Sequence, residues 1–189
     1  MNLLQISEPA VEPVDLPDAK DHCRLRSADH DGLLAGFIVA ARRHAEAFLR
    51  RRLISQQVQF RRTGLGGSIH LPIAPVQTVD EVIYLDPAEN EVTLDANAYR
   101  LDRSCHPFRI VPAHGMAWPA VLPDVDTVGI SLTVGYGDDA TDVPEDIRVA
   151  LRLLVGHWFE HREAIITGVM AQEMPSATRD LLTPHILWV

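Results

Sequence analysis

The spacing of the apolar residues changes twice along this chain of 189 residues, and that change constrains the fold more than any other feature. From Asp29 to about Arg52, the residues Leu33, Leu34, Phe37, Ile38, Ala41, Ala45, Phe48 and Leu49 recur at helical spacing and form one apolar stripe. Between Leu53 and Tyr136 the pattern becomes alternation broken by turns. Ile69, Leu71 and Ile73, and again Val128, Ile130, Leu132 and Val134, fall on every second residue, as half-buried strands require. Val76 to Leu85 and Phe108 to Val111 are expected as further strands. Helical spacing returns after Gly137, where Ile147, Ala150, Leu151, Leu154, Val155, Trp158 and Phe159 build a wide apolar face. The pattern predicts an α+β fold in which helical segments flank, and pair across, an inserted and mostly antiparallel β unit.

Local signals set the boundaries. Residues 1–14, with Pro9 and Pro13, read as a flexible lead-in. A short first helix follows, with Asp15 as its cap and Pro17 in its first turn. The helical parts then span 15–52 and 142–183 and the β insertion about 53–136, all within one domain covering 15–189. Seven of the 13 prolines fall between Pro72 and Pro123, which favours short strands with irregular links. Asp142 with Glu145 suggests a capping box, with Pro144 in the first turn of the helix that follows. That helix is expected to end before Gly168, and a last one to start near Pro175 or Ser176 and stop before Pro184.

Composition excludes several classes. With 17 Lys and Arg against 26 Asp and Glu, the formal charge of −9 opposes any general grip on a phosphate backbone. Two cysteines, Cys23 and Cys105, make no disulfide framework, so a reducing compartment is expected. The first residues carry no basic n-region, and the uncharged run Gly32 to Ala41 is about half of the roughly 20 residues that a bilayer requires. A soluble intracellular protein is expected, with no membrane and no cofactor.

Four motifs invite functional readings. Thr133-Val134-Gly135-Tyr136-Gly137 spells a potassium-filter string, but such a filter works inside a pore of membrane helices, so a strand ending in a turn is expected here. His157-Trp158-Phe159-Glu160-His161 fits the inverted zinc-protease string, with both histidines on one helix face and a glutamate beside them. The third ligand would have to come from Glu163, Glu173, Asp180 or His185, and structural histidines flanking core aromatics are the simpler reading. Gly64, Gly66 and Gly67 lack the Lys-Ser/Thr ending of a phosphate loop and are expected at a mobile hairpin tip. The arginines at 42, 43, 50, 51, 52, 61 and 62 read as a solvated face and dipole cap, or as a contact with an acidic partner surface. Finally, Leu181, Leu182, Ile186, Leu187, Trp188 and Val189 crowd the last nine residues. Such a tail either packs back on its own domain or docks on another chain.

Several of these stretches, taken in order, carry a resemblance. They are "GLLAGFIVAARRHAEAFLRRRLI", "LPIAPVQTVDEVIYLD", "ANAYRLD", "RIVPAHGMAWP", "TVGYGDDATDVPEDIRVALRLLVGHWFEHREA" and the closing "LLTPHILWV". Together they resemble the head–tail connector (adaptor) proteins of long-tailed bacteriophages and gene-transfer particles. The likeness is to the longer members, whose helical core carries a β insertion, and it implies for this chain a core of two N-terminal and two C-terminal helices. The spacings LP-x-x-PV and DVPEDIR-x-ALRLLVGHW are the most specific parts; His161 departs from the pattern, where an amide is expected. The resemblance implies a structural virion protein, not an enzyme, made in the bacterial cytoplasm and located in the particle neck. It implies a ring, typically dodecameric, beneath the portal, which extends the DNA channel without binding DNA specifically and docks a tail or stopper protein. An isolated subunit can then be monomeric. On this reading Leu181, Leu182, Ile186, Leu187, Trp188 and Val189 are assigned to the portal contact, and Arg42, Arg43, Arg50 and Arg51 to the neighbouring copy. A zinc hydrolase using His157, Glu160 and His161, or a partner-binding module outside any virion, are the alternatives.

Overall fold

A computed structural model describes residues 2–161 and 174–188. The chain divides into a helical unit, residues 10–54 and 137–186, and a β unit, residues 2–9, 55–136 and 187–188.

In the helical unit, α1 (Leu16–His22) begins as expected. The Asp15 carboxylate accepts the Asp18 N–H at 2.7 Å, and Pro17 occupies the first turn, where no intrahelical N–H is needed. Helix α2 (Asp31–Leu49) contains the whole apolar stripe but stops short of the expected Arg52, because Arg50 turns left-handed at φ 54° and ends it. Leu34, Ile38, Ala41, Ala45 and Leu49 form its buried face. Helix α3 (Glu145–Glu160) buries Ile147, Ala150, Leu151, Leu154 and Val155 and packs against α1, α2 and α4 (Ser176–Leu182). Each of the Ile, Leu and Val side chains taken fully out of water contributes about 1.5–3 kcal/mol. The rim of this core is aromatic. Trp158 lies edge-on to Phe37 and to His44, with ring centres 6.2 and 6.1 Å apart, and Phe159 meets His30 at 5.4 Å. Thus α3 does pair with α2 across the insertion. The expected Asp142–Glu145 capping box does not form. Asp142 instead accepts the Asp139 N–H at 3.0 Å, closing a short 3-10 turn, Ala140–Asp142, and Pro144 stands at the α3 cap position.

The β unit is two antiparallel sheets. The larger, in the order β1-β2-β8-β4-β5, comprises β1 (Asn2–Gln5), β2 (Gln56–Arg62), β8 (Val128–Val134), β4 (Val76–Leu85) and β5 (Glu91–Thr93). The smaller, in the order β3-β7-β6, comprises β3 (Ile69–His70), β7 (Arg109–Pro112) and β6 (Tyr99–Asp102). Alternation does what it promised. Val128, Ile130, Leu132 and Val134 point inward with Val58, Phe60, Val76 and Val82, and meet Ile69, Leu71, Ile73 and Ile110 in one core.

Two expectations fail here. Residues 2–5 pair in register with β2, Leu4 opposite Gln59, so the lead-in expected to be flexible supplies an edge strand. The loop from Gly64 to Gly67 is not a hairpin tip, because β2 and β3 lie in different sheets. It is a crossover, and the indole N–H of Trp118 donates to the Gly67 carbonyl at 2.8 Å.

Candidate assembly surfaces

The zinc string resolves into helix surface. His157 and His161 stack at 4.6 Å between ring centres, and the His161 Nδ1 lies 3.0 Å from the His157 carbonyl oxygen. Among the described residues no three His, Cys, Asp or Glu side chains converge as a metal would need. Glu163 and Glu173, weighed above as ligands, lie outside the described residues, as does Gly168. Nearby, burial and then the charge of Glu160 push the Cys23 thiol above its ordinary value, which disfavours the thiolate. The string Thr133 to Gly137 is the end of β8 and a turn, as expected, with the Gly135 N–H donating to the Pro75 carbonyl at 3.0 Å. Gly137 has a structural reason to be glycine: a Cβ there would sit 2.1 Å from an Asp142 carboxylate oxygen.

The arginine cluster separates into two kinds. Arg42 is 2 % exposed. Its Nε donates to Glu12 at 2.8 Å and its Nη1 to Glu46 at 3.3 Å, while the other Glu46 oxygen accepts the Leu53 N–H at 2.9 Å. These bonds fasten the turn after α2 and the segment before α1 onto the helix. Arg51 is half-buried, and its Nε donates to the His185 carbonyl at 2.5 Å. Arg43 and Arg50, by contrast, are exposed. Spacing along a helix cannot separate these roles, because it does not reveal which face the rest of the fold covers.

The apolar tail also divides. Leu182 and Leu187 are buried, and Leu181 and Ile186 are half-buried. Between them His185 holds Asp146 at 2.5 Å, Nε2 to carboxylate. Burial opposes ionisation of Asp146, but the His185 bond and charge hold its carboxyl below the usual carboxylate range. Trp188 is 76 % exposed, immediately after buried Leu187. Val189 lies outside the described residues.

One surface gave no sequence signal. The outward side of the larger sheet carries Gln57, Ser131, Thr133 and Glu81, and the β4 ladder shifts register between Val76 and Thr78 and between Val79 and Glu81. This irregularity turns Asp80 onto the same side, where it accepts hydroxyl bonds from Thr78 at 2.6 Å and Thr133 at 2.8 Å. A groove of about 570 Å³ results, floored by Gln57, Ser131 and Glu81 and edged by Ile6, Asp95 and Tyr99. Burial, and then Asp80, Glu81 and Asp95, raise the Tyr99 hydroxyl above its ordinary value, which reports a negative local field. Ile6 at this edge is exposed, and so is Leu4, opposite Gln59 on β1.

The architecture is thus a helical core with an inserted two-sheet β unit. Known proteins give that architecture a place. The family model described as "Phage gp6-like head-tail connector protein" matches residues 13–99. A chain in the virion of a native gene transfer agent particle is 25% identical, with a TM-score of 0.81, over 100% of this chain and 97% of that one. A chain in the neck of the native particle, computed with C12 symmetry, is 25% identical with a TM-score of 0.78 at the same coverage. A chain in the neck of the empty particle, computed with C6 symmetry, gives 23% and 0.80. No curated protein matches the sequence. The resemblance to head–tail connectors read from the sequence is borne out, and the fold is that of a gene transfer agent neck protein along the full chain.

Proposed function

We propose that this chain is one subunit of a head–tail connector ring, a structural part of the particle neck. The full-length likeness to gene transfer agent neck chains carries the reading. Copies stand side by side beneath a portal protein, extend its DNA channel and offer a surface to a tail or stopper protein. A closed ring needs two different, complementary side faces on every subunit. A net charge of −9 suits a conduit, since phosphate is repelled and genome slides without sticking. The work is done by shape and without catalysis, after synthesis in the host cytoplasm.

The portal contact falls to the C-terminal segment. Leu182 and Leu187 are buried in their own subunit, so the exposed Trp188 is the group of this segment left to enter a partner, and Leu181 and Ile186 are half-buried. Arg43 and Arg50 serve the neighbouring copy; Arg42 and Arg51 support them from within the subunit.

The test is negative-stain imaging and sedimentation of the full chain mixed with purified portal rings from the same particle. An added ring of density at the portal exit is expected, and no association at all would overturn the reading. Trp188→Ala should weaken portal binding by about tenfold or more, as losing an aromatic anchor does, while thermal unfolding stays unchanged. Undiminished binding refutes the Trp188 assignment.

A further inference from the structure

Helix α2 is apolar on both sides. Its inward stripe is buried as described, yet its outward side exposes Gly32, Leu33, Gly36, Ala40 and Ala47, with no charge over its first three turns except Asp31 at the start. Leu33 is 40 % exposed, and a Cβ added at Gly32 or Gly36 would meet nothing within 4 Å. A surface helix ordinarily turns charged residues outward, and one that is apolar all round is a buried helix. Charge enters this outward side only at its C-terminal end, through Arg43 and Arg50.

The groove on the larger sheet has the opposite character. It combines an exposed apolar rim residue, Ile6, with the carboxylates of Asp80, Glu81 and Asp95. We propose that the outward side of α2 in one copy lies in this groove on the next copy. The small residues let the helix backbone approach the rim, and Arg43 and Arg50 meet the carboxylates. Two unlike surfaces on one chain form a heterologous contact, the kind from which a closed ring is built, whereas α2 against α2 would stop at a dimer. Size fits as well. From Gly32 to Arg50 the stripe is about 27 Å long and roughly 10 Å wide, about 300 Å². That falls short of the ~800 Å² per partner of a stable complex, so the contact holds only where a template gathers the copies. This inference rests on the ring reading and names the faces that meet.

Charge reversal tests it in the full chain. One variant carries Arg43→Glu and Arg50→Glu, and the other Asp80→Lys and Glu81→Lys. Circular dichroism and thermal melts establish that each is folded, and Glu81→Lys alone replaces the second variant if it is not. Ring formation on purified portal rings is then followed by negative stain. Each variant alone should lose assembly by about tenfold or more, because like charges face each other at every contact. An equimolar mixture should recover it, since each reversed helix then finds a reversed groove in an alternating ring. Recovery should weaken with added salt. Variants that assemble like the unaltered chain, or a mixture that fails to recover, overturn the proposed contact while the ring reading stands. Failure of the unaltered chain to assemble overturns the ring reading itself.

Discussion

Removing the Arg42 side chain separates an assembly arginine from a structural one. Arg42→Ala deletes a guanidinium whose side chain is 3% exposed and leaves the Glu46 carboxylate, 5% exposed, with a weaker partner. Breaking a buried ion pair by taking one member away costs about 3–5 kcal/mol, because the remaining charge stays desolvated. Two features lower that figure here. Glu46 keeps the Leu53 N–H at 2.9 Å, and Arg52 stands 4.0 Å from its other oxygen. A loss of about 2–3 kcal/mol follows, which for a chain of this size lowers the melting temperature by roughly 5–10 °C. Arg50→Ala, which removes an exposed side chain, should stay within about 0.5 kcal/mol. Urea unfolding followed by circular dichroism measures both, and Arg42→Met keeps the volume without the charge as a control. An Arg42→Ala protein as stable as the parent, yet unable to assemble, would refute the reasoning and return Arg42 to the subunit interface.

Two further outcomes are expected. Gly137→Ala places a methyl group against Asp142 and should destabilise the protein by about 1–2 kcal/mol, an amount that Gly137→Ala with Asp142→Ala partly recovers; equal stability of the two single-site parents and the double variant would remove the steric explanation. The Asp146 carboxyl is held low in the folded state, so its contribution to stability is present above the unfolded-state value near pH 4 and is lost as the pH falls through the folded one. Asp146→Asn should therefore flatten the fall of stability between about pH 5 and pH 2, and an unchanged pH profile would show that the His185 pair does not stabilise the fold.

The order of elements was legible because apolar spacing is a local record of burial. β8 runs Val128–Val134 as its alternation implied, the first helix starts at its Asp15 cap, and the chain pairs α2 with α3 around an inserted β unit. Edges were less legible. β1 offered four residues with no alternating signal of their own, and only the ladder of β2 gives them a strand to join. The failed capping box has the same origin, since one carboxylate can close either of two neighbouring turns and the path of the chain selects between them.

For the assembly surfaces, sequence alone determined the inventory: an arginine-bearing helix, an apolar tail, a surplus of carboxylates and the family pattern that joins them. The fold decided which members of that inventory are available to a partner. Arg42 and Leu187 are taken inside while Arg50 and Trp188 remain outside, although each lies close to its counterpart in the chain. It also made the acidic groove, by bringing Asp80 and Asp95 beside Ser131 from a strand far along the chain. The physical reason is range. Turn and helix preferences act over a few residues, whereas exposure and electrostatic field depend on whatever distant segments pack against a side chain, and those neighbours exist only in the folded subunit.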